Sequence, residues 1–342
     1  MDPRFPGVRG HAQAQARLSR AITRDQLHHG LIFVGPAGVG KATLARGLAA
    51  ALHCPEQPAV GCGACNTCRR IAAGTHAGVE WVQPDEPGGR VKIDVARSLA
   101  HRLERAPFEG NRHLVVFDPA DAIGEAGFNA MLKTIEEPRP GVHFVMVVTG
   151  LDVLLPTILS RCLTVRLGRL EDDDVKAIVA EQVAGAEQPP TPARIELAAG
   201  LAGGSAGLAV SLALDPSLDA ALALLGQVVG AAQAGPPAIF SGNKSPLWQA
   251  WDAAVGPVKS GKPARERATL RRLCELWLLH LRERLRGRDG LPGVPRGPAD
   301  ARAVLRQLDH VQALLERLGR NPNVRLSLEQ TLLSLGTAGA RA

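Results

Sequence analysis

Residues 31–43 decide the fold: Leu-Ile-Phe-Val-Gly-Pro-Ala-Gly-Val-Gly-Lys-Ala-Thr. Four apolar residues end at Gly35, and a pattern typical of an amphipathic helix runs from Ala42 to His53. Gly35, Gly40 and Lys41 have the spacing of a loop whose backbone N–H groups and lysine hold phosphate oxygens. The stretch therefore predicts a phosphate-binding loop between a buried strand and a helix.

Two departures argue against hydrolysis at this loop. Ala42 stands where a hydroxyl would bind Mg²⁺, and Thr43 lies about 100° further round the helix. Asp118 ends an apolar run, but Pro119 follows it where a second acid would orient the attacking water. The loop is therefore either competent to bind nucleotide or a retained element of the fold, and ATP with Mg²⁺ is a doubtful cofactor. The candidate nucleotide-binding residues are Gly35, Gly38, Gly40, Lys41, Thr43, Asp118 and Thr149.

Further apolar runs alternate with helical patterns as far as residue 168, which predicts an α/β domain with a parallel sheet covered on both faces. The predicted strands are 31–34, 79–82, 114–117, 144–148 and 163–167. Beyond residue 168 the pattern is helical throughout. We expect an α/β domain at 1–168, a small helical lid domain at 169–226 and an all-α domain at 227–342.

Four cysteines follow the first helix: Cys54, Cys62, Cys65 and Cys68. Four thiolates at this spacing can close tetrahedrally around Zn²⁺ and leave no position for water, so the expected role is structural. The alternative is four unrelated thiols, which the double C-x2-C pattern disfavours.

The chain has 342 residues and a formal charge of +7. The segment 262–288 is rich in basic residues. It either attracts nucleic acid or forms the solvated face of a helix. The absence of Tyr, with only 3% aromatic residues, argues against a specialist in binding single strands. No signal-peptide pattern and no membrane-length apolar stretch is present, which predicts a soluble, cytoplasmic protein without a membrane partner.

Several segments together resemble the bacterial clamp-loader subunits of the AAA+ class. The cysteine module directly follows the phosphate-loop helix, residues 129–138 read Asn-Ala-Met-Leu-Lys-Thr-Ile-Glu-Glu-Pro, and Ser160-Arg161-Cys162 carries the Ser-Arg-Cys motif. The resemblance is strong in the first domain and weak at the C-terminus. It implies a P-loop NTPase-like domain with a zinc module, then a lid domain and a helical collar domain.

The family has motor subunits of the γ and τ kind, which hydrolyse ATP, and a δ′ stator, which does not. Ala42, Pro119 and Leu208 favour the stator, because Leu208 stands where motor subunits have a sensor arginine. The resemblance also implies that Arg161 acts in trans as an arginine finger on a neighbour's ATP. Without the resemblance, Arg161 would read as a surface arginine that caps helix carbonyl groups.

The resemblance thus predicts a δ′-type subunit of the DNA polymerase III holoenzyme, a DNA-directed DNA polymerase, with little or no ATPase activity of its own. The implied partners are the γ/τ and δ subunits, the sliding clamp and primer–template DNA, in a replisome associated with the nucleoid. The alternative is a motor subunit that hydrolyses ATP.

Overall fold

The structure is a computed structural model that describes residues 4–86, 88–103, 112–239, 245–256, 261–287, 289–318 and 323–337. The chain divides into two compact units, residues 1–214 and 215–342. The predicted boundary at 226/227 falls within a helix, Leu218–Ala234. The division into three domains therefore stays a prediction.

The described part of the first unit is built on a five-stranded parallel sheet with the order β2-β3-β4-β1-β5. Each predicted strand is present within two residues of its predicted bounds. The strands are β1 (Gly30–Val34), β2 (Val79–Val82), β3 (His113–Phe117), β4 (Val142–Val148) and β5 (Leu163–Arg166).

Helices cover both faces of this sheet, which explains why the central strands are continuously apolar. One face packs in a core with Phe33, Leu44 and Leu48, and the other packs with Phe117, Phe128 and Met131. The helices are α1 (Ala12–Thr23), α2 (Lys41–His53), α3 (Asn66–Ala72), α4 (Ile93–Leu103), α5 (Gly124–Glu136) and α6 (Pro156–Leu159). A 3₁₀ helix spans Ala120–Ile123.

Three further helices, which fall within the predicted lid domain 169–226 and are called the lid from here on, complete the first unit: α7 (Asp172–Val183), α8 (Pro192–Ala202) and α9 (Ala206–Leu214). Three acidic residues occupy the first turn of α7, where negative charge complements the helix dipole. Thr191 caps α8 by accepting a hydrogen bond from the N–H of Arg194, and Pro192 occupies the first turn.

The described part of the second unit is helical. Its helices are α10 (Leu218–Ala234), α11 (Pro236–Ile239), α12 (Pro246–Val255), α13 (Lys262–Leu285), α14 (Ala301–Arg317) and α15 (Val324–Thr337). Most of the basic segment 262–288 lies in α13, whereas Arg288 lies outside the described residues. The core of this unit includes Trp248 and Trp277, both almost fully buried.

Among the described residues, no single helix is long and apolar enough to cross a membrane. Helices α9 and α10 reach that length and composition only when they are counted together.

Candidate functional site: the phosphate loop, the cysteine cluster and Arg161

The predicted phosphate loop connects β1 to α2. Gly38 and Gly40 have φ angles of +74° and +96°, a region that glycine enters without a Cβ penalty. Gly40 is the N-cap residue of α2, so the first N–H groups of the helix and the loop N–H groups turn toward the same space. The loop therefore has the strand-to-helix connection and the glycine conformations that its spacing predicts, and anion binding there stays a prediction.

Lys41 is 7% exposed, and its ammonium group is held by the loop itself. Nζ donates hydrogen bonds to the carbonyl oxygens of Gly35 and Pro36, each at 2.7 Å. Burial lowers the pKa of Lys41, and the nearby Asp118 carboxylate opposes that shift. A phosphate in the loop would compete with these two carbonyl groups for the ammonium group.

A cavity of about 520 Å³ lies in front of the loop. Most of the predicted nucleotide-binding residues line this cavity. Gly35 does not line it, but its carbonyl oxygen accepts a hydrogen bond from Lys41. Ala42 and Pro119 also line the cavity. The predicted residues at this wall are Gly38, Gly40, Lys41, Thr43, Asp118 and Thr149.

Asp118 follows β3 and is partly buried beside the cavity. Burial raises the pKa of its carboxyl group, while the Arg46 and Lys41 cations act in the opposite direction. Asp121, which sequence reasoning missed, also lines the cavity from the 3₁₀ helix. The cavity wall therefore contains a second carboxylate, two residues beyond Pro119.

The lid binds the outer side of the loop. Ser205 Oγ donates to the carbonyl oxygen of Ala37 at 3.0 Å, and the N–H of Gly207 donates to the carbonyl oxygen of Gly38 at 3.0 Å. Both bonds use carbonyl groups of the loop as acceptors, so they hold the loop without occupying its N–H groups. Leu208 follows directly and is 38% exposed.

The segment before α1 forms another wall that the sequence did not indicate. Arg9 lines the cavity and forms an ion pair with Glu181 of α7. His11 Nε2 lies 2.8 Å from the carbonyl oxygen of Val39. The N-terminal segment thus links the phosphate loop to the lid through residues that are distant in sequence.

The four predicted metal ligands converge. The Sγ atoms of Cys54, Cys62, Cys65 and Cys68 all lie within 4.8 Å of one another. The Cys54–Cys65 and Cys62–Cys68 pairs are each 3.9 Å apart. A tetrahedron of sulfur atoms with Zn–S bonds of about 2.3 Å has edges of about 3.8 Å. The cluster therefore has the size that a four-coordinate Zn²⁺ site requires.

Backbone N–H groups surround these sulfur atoms. The N–H groups of Gln57 and Cys62 lie 3.3 and 3.4 Å from Cys54 Sγ, and that of Cys65 lies 3.2 Å from Cys62 Sγ. Hydrogen bonds from Cys65 and Ala64 lower the pKa of the Cys62 thiol to about 6, whereas burial raises that of Cys68 to about 12. N–H donors of this kind favour thiolate, the form that binds metal.

The phosphate loop lies at the carboxyl ends of the parallel strands, and Arg161 lies at their amino ends. Arg161 follows α6 and lies two residues before Leu163, the start of β5, which pairs with Leu31 at the start of β1, whereas the loop begins after the last residue of β1. With a rise of about 3.3 Å per residue, the two ends of β1 are about 13 Å apart. Arg161 is 43% exposed on its side chain, and the structure does not bring it to the cavity of its own chain.

The parallel sheet with a glycine-rich loop between β1 and α2 is the arrangement of a P-loop fold. Residues 10–171 match the family described as "DNA polymerase III, delta subunit". This part of the chain is therefore similar to the clamp-loader subunits of DNA polymerase III.

The relatives include subunits of both kinds. The chain is 37% identical over 149 residues to the δ′ subunit of Pseudomonas aeruginosa, a match that covers 43% of this chain and 45% of that protein. It is 34% identical over 173 residues to the τ subunit of Salmonella typhimurium, which covers 50% and 26% respectively. The chain thus spans about a quarter of that τ subunit and about half of that δ′ subunit. Among solved structures, a γ subunit-related protein from Thermotoga maritima superposes with a TM-score of 0.49 and 15% identity, covering 95% of this chain and 99% of the other.

Proposed function

We propose that the chain is the non-hydrolysing, δ′-type subunit of a clamp loader. The observation that supports this most strongly is the presence of Ala42 and Pro119 in the wall of the phosphate-loop cavity. Neither side chain can bind Mg²⁺ or orient a water molecule, the two tasks that phosphoryl transfer to water requires at these places.

The rest of the cavity agrees with a stator. Lys41 is bound to loop carbonyl groups, and Leu208, which follows the cavity-lining residue Gly207, stands where motor subunits have an arginine. Loss of hydrolysis leaves the fold intact because the lid bonds from Ser205 and Gly207 hold the loop without nucleotide. The loop then serves as a structural element that connects the sheet to the lid.

Arg161 is the residue proposed to act in trans. Arg161 lies near the start of β1, whereas its own phosphate loop follows the end of β1. We therefore infer that a phosphate bound by Arg161 belongs to another chain. A guanidinium group placed on a transferring phosphoryl group accelerates hydrolysis by about 10³–10⁵-fold in well-studied cases. The chain would thereby contribute to ATP hydrolysis without performing it.

The remaining assignments follow from this role. The partners are γ/τ and δ subunits, with the sliding clamp and primer–template DNA bound by the complex, in the cytoplasm. The helices from residue 227 onward form the collar that joins the subunits, and the lid domain spans 169–226. The four cysteines hold one structural Zn²⁺, which contributes stability and no chemistry.

The alternative is a motor subunit of the γ/τ kind, and one observation favours it. Asp121 adds a second carboxylate to the cavity, and the hydroxyl group of Thr43 also lies in its wall. If these two side chains replaced the missing groups, the chain would hydrolyse ATP.

Turnover of ATP by the purified chain, with and without primed DNA, separates the two functions. The stator account predicts no turnover above that of a Lys41→Ala variant. The motor account predicts turnover that Asp121→Asn and Lys41→Ala abolish and that Glu125→Gln, an acid outside the cavity, leaves unchanged. Turnover of that pattern would overturn the stator assignment.

A further inference from the structure

A second groove lies between α1 and β5 and has a volume of about 490 Å³. It shares no lining residue with the phosphate-loop cavity. Its floor is apolar and includes Leu18, Leu31 and Leu163. Four arginines line its rim, and we call it the arginine groove: Arg17, Arg20, Arg24 and Arg166.

The rim arginines are arranged by the periodicity of α1. Arg17, Arg20 and Arg24 are spaced by three and four residues, so they follow one face of the helix and its C-cap. Arg166 faces them from β5, and all four side chains are exposed. This arrangement concentrates positive charge along a narrow groove.

Within the described residues, no carboxylate pairs with any of these four arginines, and no acidic residue lines the groove. Asp25 is adjacent to Arg24 in sequence, but its carboxylate lies 2.8 Å from Arg112 Nη2. The groove is therefore electrostatically complementary to an anionic ligand.

Strand β5 forms the other wall, and it is the edge strand of the described sheet. The N–H of Leu167, just beyond the strand, donates to the carbonyl oxygen of Val34 in β1. Since main-chain groups alternate in direction along a strand, those of Thr164 and Arg166 point away from β1. These groups are available to pair with an additional strand.

An acidic peptide and a nucleic acid are the two classes of anionic partner, and the groove floor and the edge of β5 differ in how well they fit each. Leu163 is 45% exposed at the unpaired edge, where an apolar side chain of a partner could cover it. No Phe, Tyr or Trp side chain is among the groove-lining residues, and His28 supplies the one ring there, whereas single-stranded nucleic acids stack successive bases on several aromatic side chains. The observations favour a peptide over a nucleic acid.

We propose that the arginine groove binds an extended, acidic segment of a partner protein as an additional strand beside β5. The carboxylates of the segment pair with the arginines of α1, its main chain pairs with Thr164 and Arg166, and an apolar side chain covers Leu163. This binding is independent of the chemistry at the phosphate loop.

The test uses the full chain and a fluorescent peptide in which Asp alternates with Val, with binding measured by anisotropy. Arg17→Glu/Arg24→Glu should weaken binding by about tenfold or more, because two attractive contacts become repulsive. The matched control is Arg306→Glu/Arg317→Glu, which makes the same charge change on the exposed face of α14. The control should retain affinity within about twofold, since neither arginine lines the groove.

A second arm needs no variant of the protein. The same peptide with alternate amides N-methylated keeps its charge and loses the donors of a strand, so its binding to the wild-type chain should be much weaker. The proposal is overturned if both double variants weaken binding equally, or if the methylated peptide binds as well as the parent. It is also overturned if oligo(dT) binds more tightly than the peptide and depends on Arg17 and Arg24.

Discussion

Arg161 Nε lies 3.0 Å from Glu136 Oε1, so an acid of the same chain holds the arginine that we propose acts on a neighbour. Arg161 Nη1 also lies 3.1 Å from Ser160 Oγ and 3.3 Å from the carbonyl oxygen of Thr157. Glu136 is the last residue of α5, and Arg161 follows α6, so the ion pair joins the end of α5 to the segment between α6 and β5. A phosphate of a neighbouring chain would compete with Glu136 for the guanidinium group.

We expect Glu136→Gln to release Arg161 and to raise ATP turnover of the assembled complex by up to a few-fold. Both side chains are more than a third exposed, and an exposed ion pair is worth about 0–1 kcal/mol, which limits both this gain and any loss of stability. The matched control is Glu137→Gln, the adjacent exposed acid. Lower turnover in Glu136→Gln would mean that the acid orients Arg161 for its task instead of competing for it.

We expect the purified chain to contain one zinc atom, measured by elemental analysis. Cys62→Ser should release the metal and lower the thermal unfolding midpoint, because metal-binding free energy contributes to folding at a structural site. Cys162→Ser, which changes a thiol outside the cluster, should retain full zinc content. Wild-type protein that folds normally without metal would contradict a zinc site.

The contact of the lid with the phosphate loop predicts a difference between two glycine substitutions. Gly38 and Gly74 have similar φ angles, +74° and +71°, so Ala at either position pays a similar backbone cost of about 1–2 kcal/mol. A Cβ at position 38 would collide with Ser205 Oγ, whereas a Cβ at position 74 meets nothing within 4 Å. The urea midpoint should therefore fall further for Gly38→Ala. Equal losses would show that the lid contact yields without cost.

We expect the stability of the second unit to depend on pH because of His280 in α13. Its ring is almost fully buried, and Nδ1 accepts a hydrogen bond from the N–H of Leu291 at 3.0 Å. Burial, and next the Arg284 cation, lower the pKa of His280 below its ordinary value of 6.5. The unfolded chain therefore takes up a proton below about pH 6.5 before the folded chain does, so stability falls with pH from there down to the folded pKa.

The measurement for this prediction is urea unfolding monitored by tryptophan fluorescence, from pH 7.5 to pH 5. His280→Asn should lose part of the wild-type pH dependence, because Asn keeps an acceptor for Leu291 and does not titrate. His310→Asn, at an exposed position of α14, should keep the wild-type dependence. Identical profiles for His280→Asn and the wild type would contradict a neutral buried imidazole.

The sheet could be predicted from the sequence because its strands are buried on both faces and read as continuous apolar runs. The phosphate loop and the cysteine cluster could be predicted for a different reason, since each is a local spacing that dictates a local geometry. Arg161 is indicated by the resemblance alone, and its position at the end of the strands opposite to the loop follows from the parallel pairing of β5 with β1.

Contacts between distant segments left no such signal. The ion pair of Arg9 with Glu181 and the bond of Ser205 to the loop depend on how the lid packs against the sheet, which no local pattern encodes. Asp121 has no signal of its own in the sequence, because only the 3₁₀ helix that follows Pro119 brings it to the cavity wall. The arginine spacing of α1 is visible in the sequence, but the strand that it faces is known only from the sheet order.

The central claim is that this chain promotes ATP hydrolysis by a neighbour and performs none itself. Its most direct test is DNA-stimulated ATP turnover by clamp-loader complexes reconstituted with the wild-type chain or with Arg161→Ala, beside the chain alone. Arg169→Ala, which changes another exposed arginine, is the matched control for the complex. We predict no turnover by the chain alone, a large loss for Arg161→Ala and wild-type turnover for Arg169→Ala. Hydrolysis by the chain alone, or full turnover with Arg161→Ala, would contradict the account.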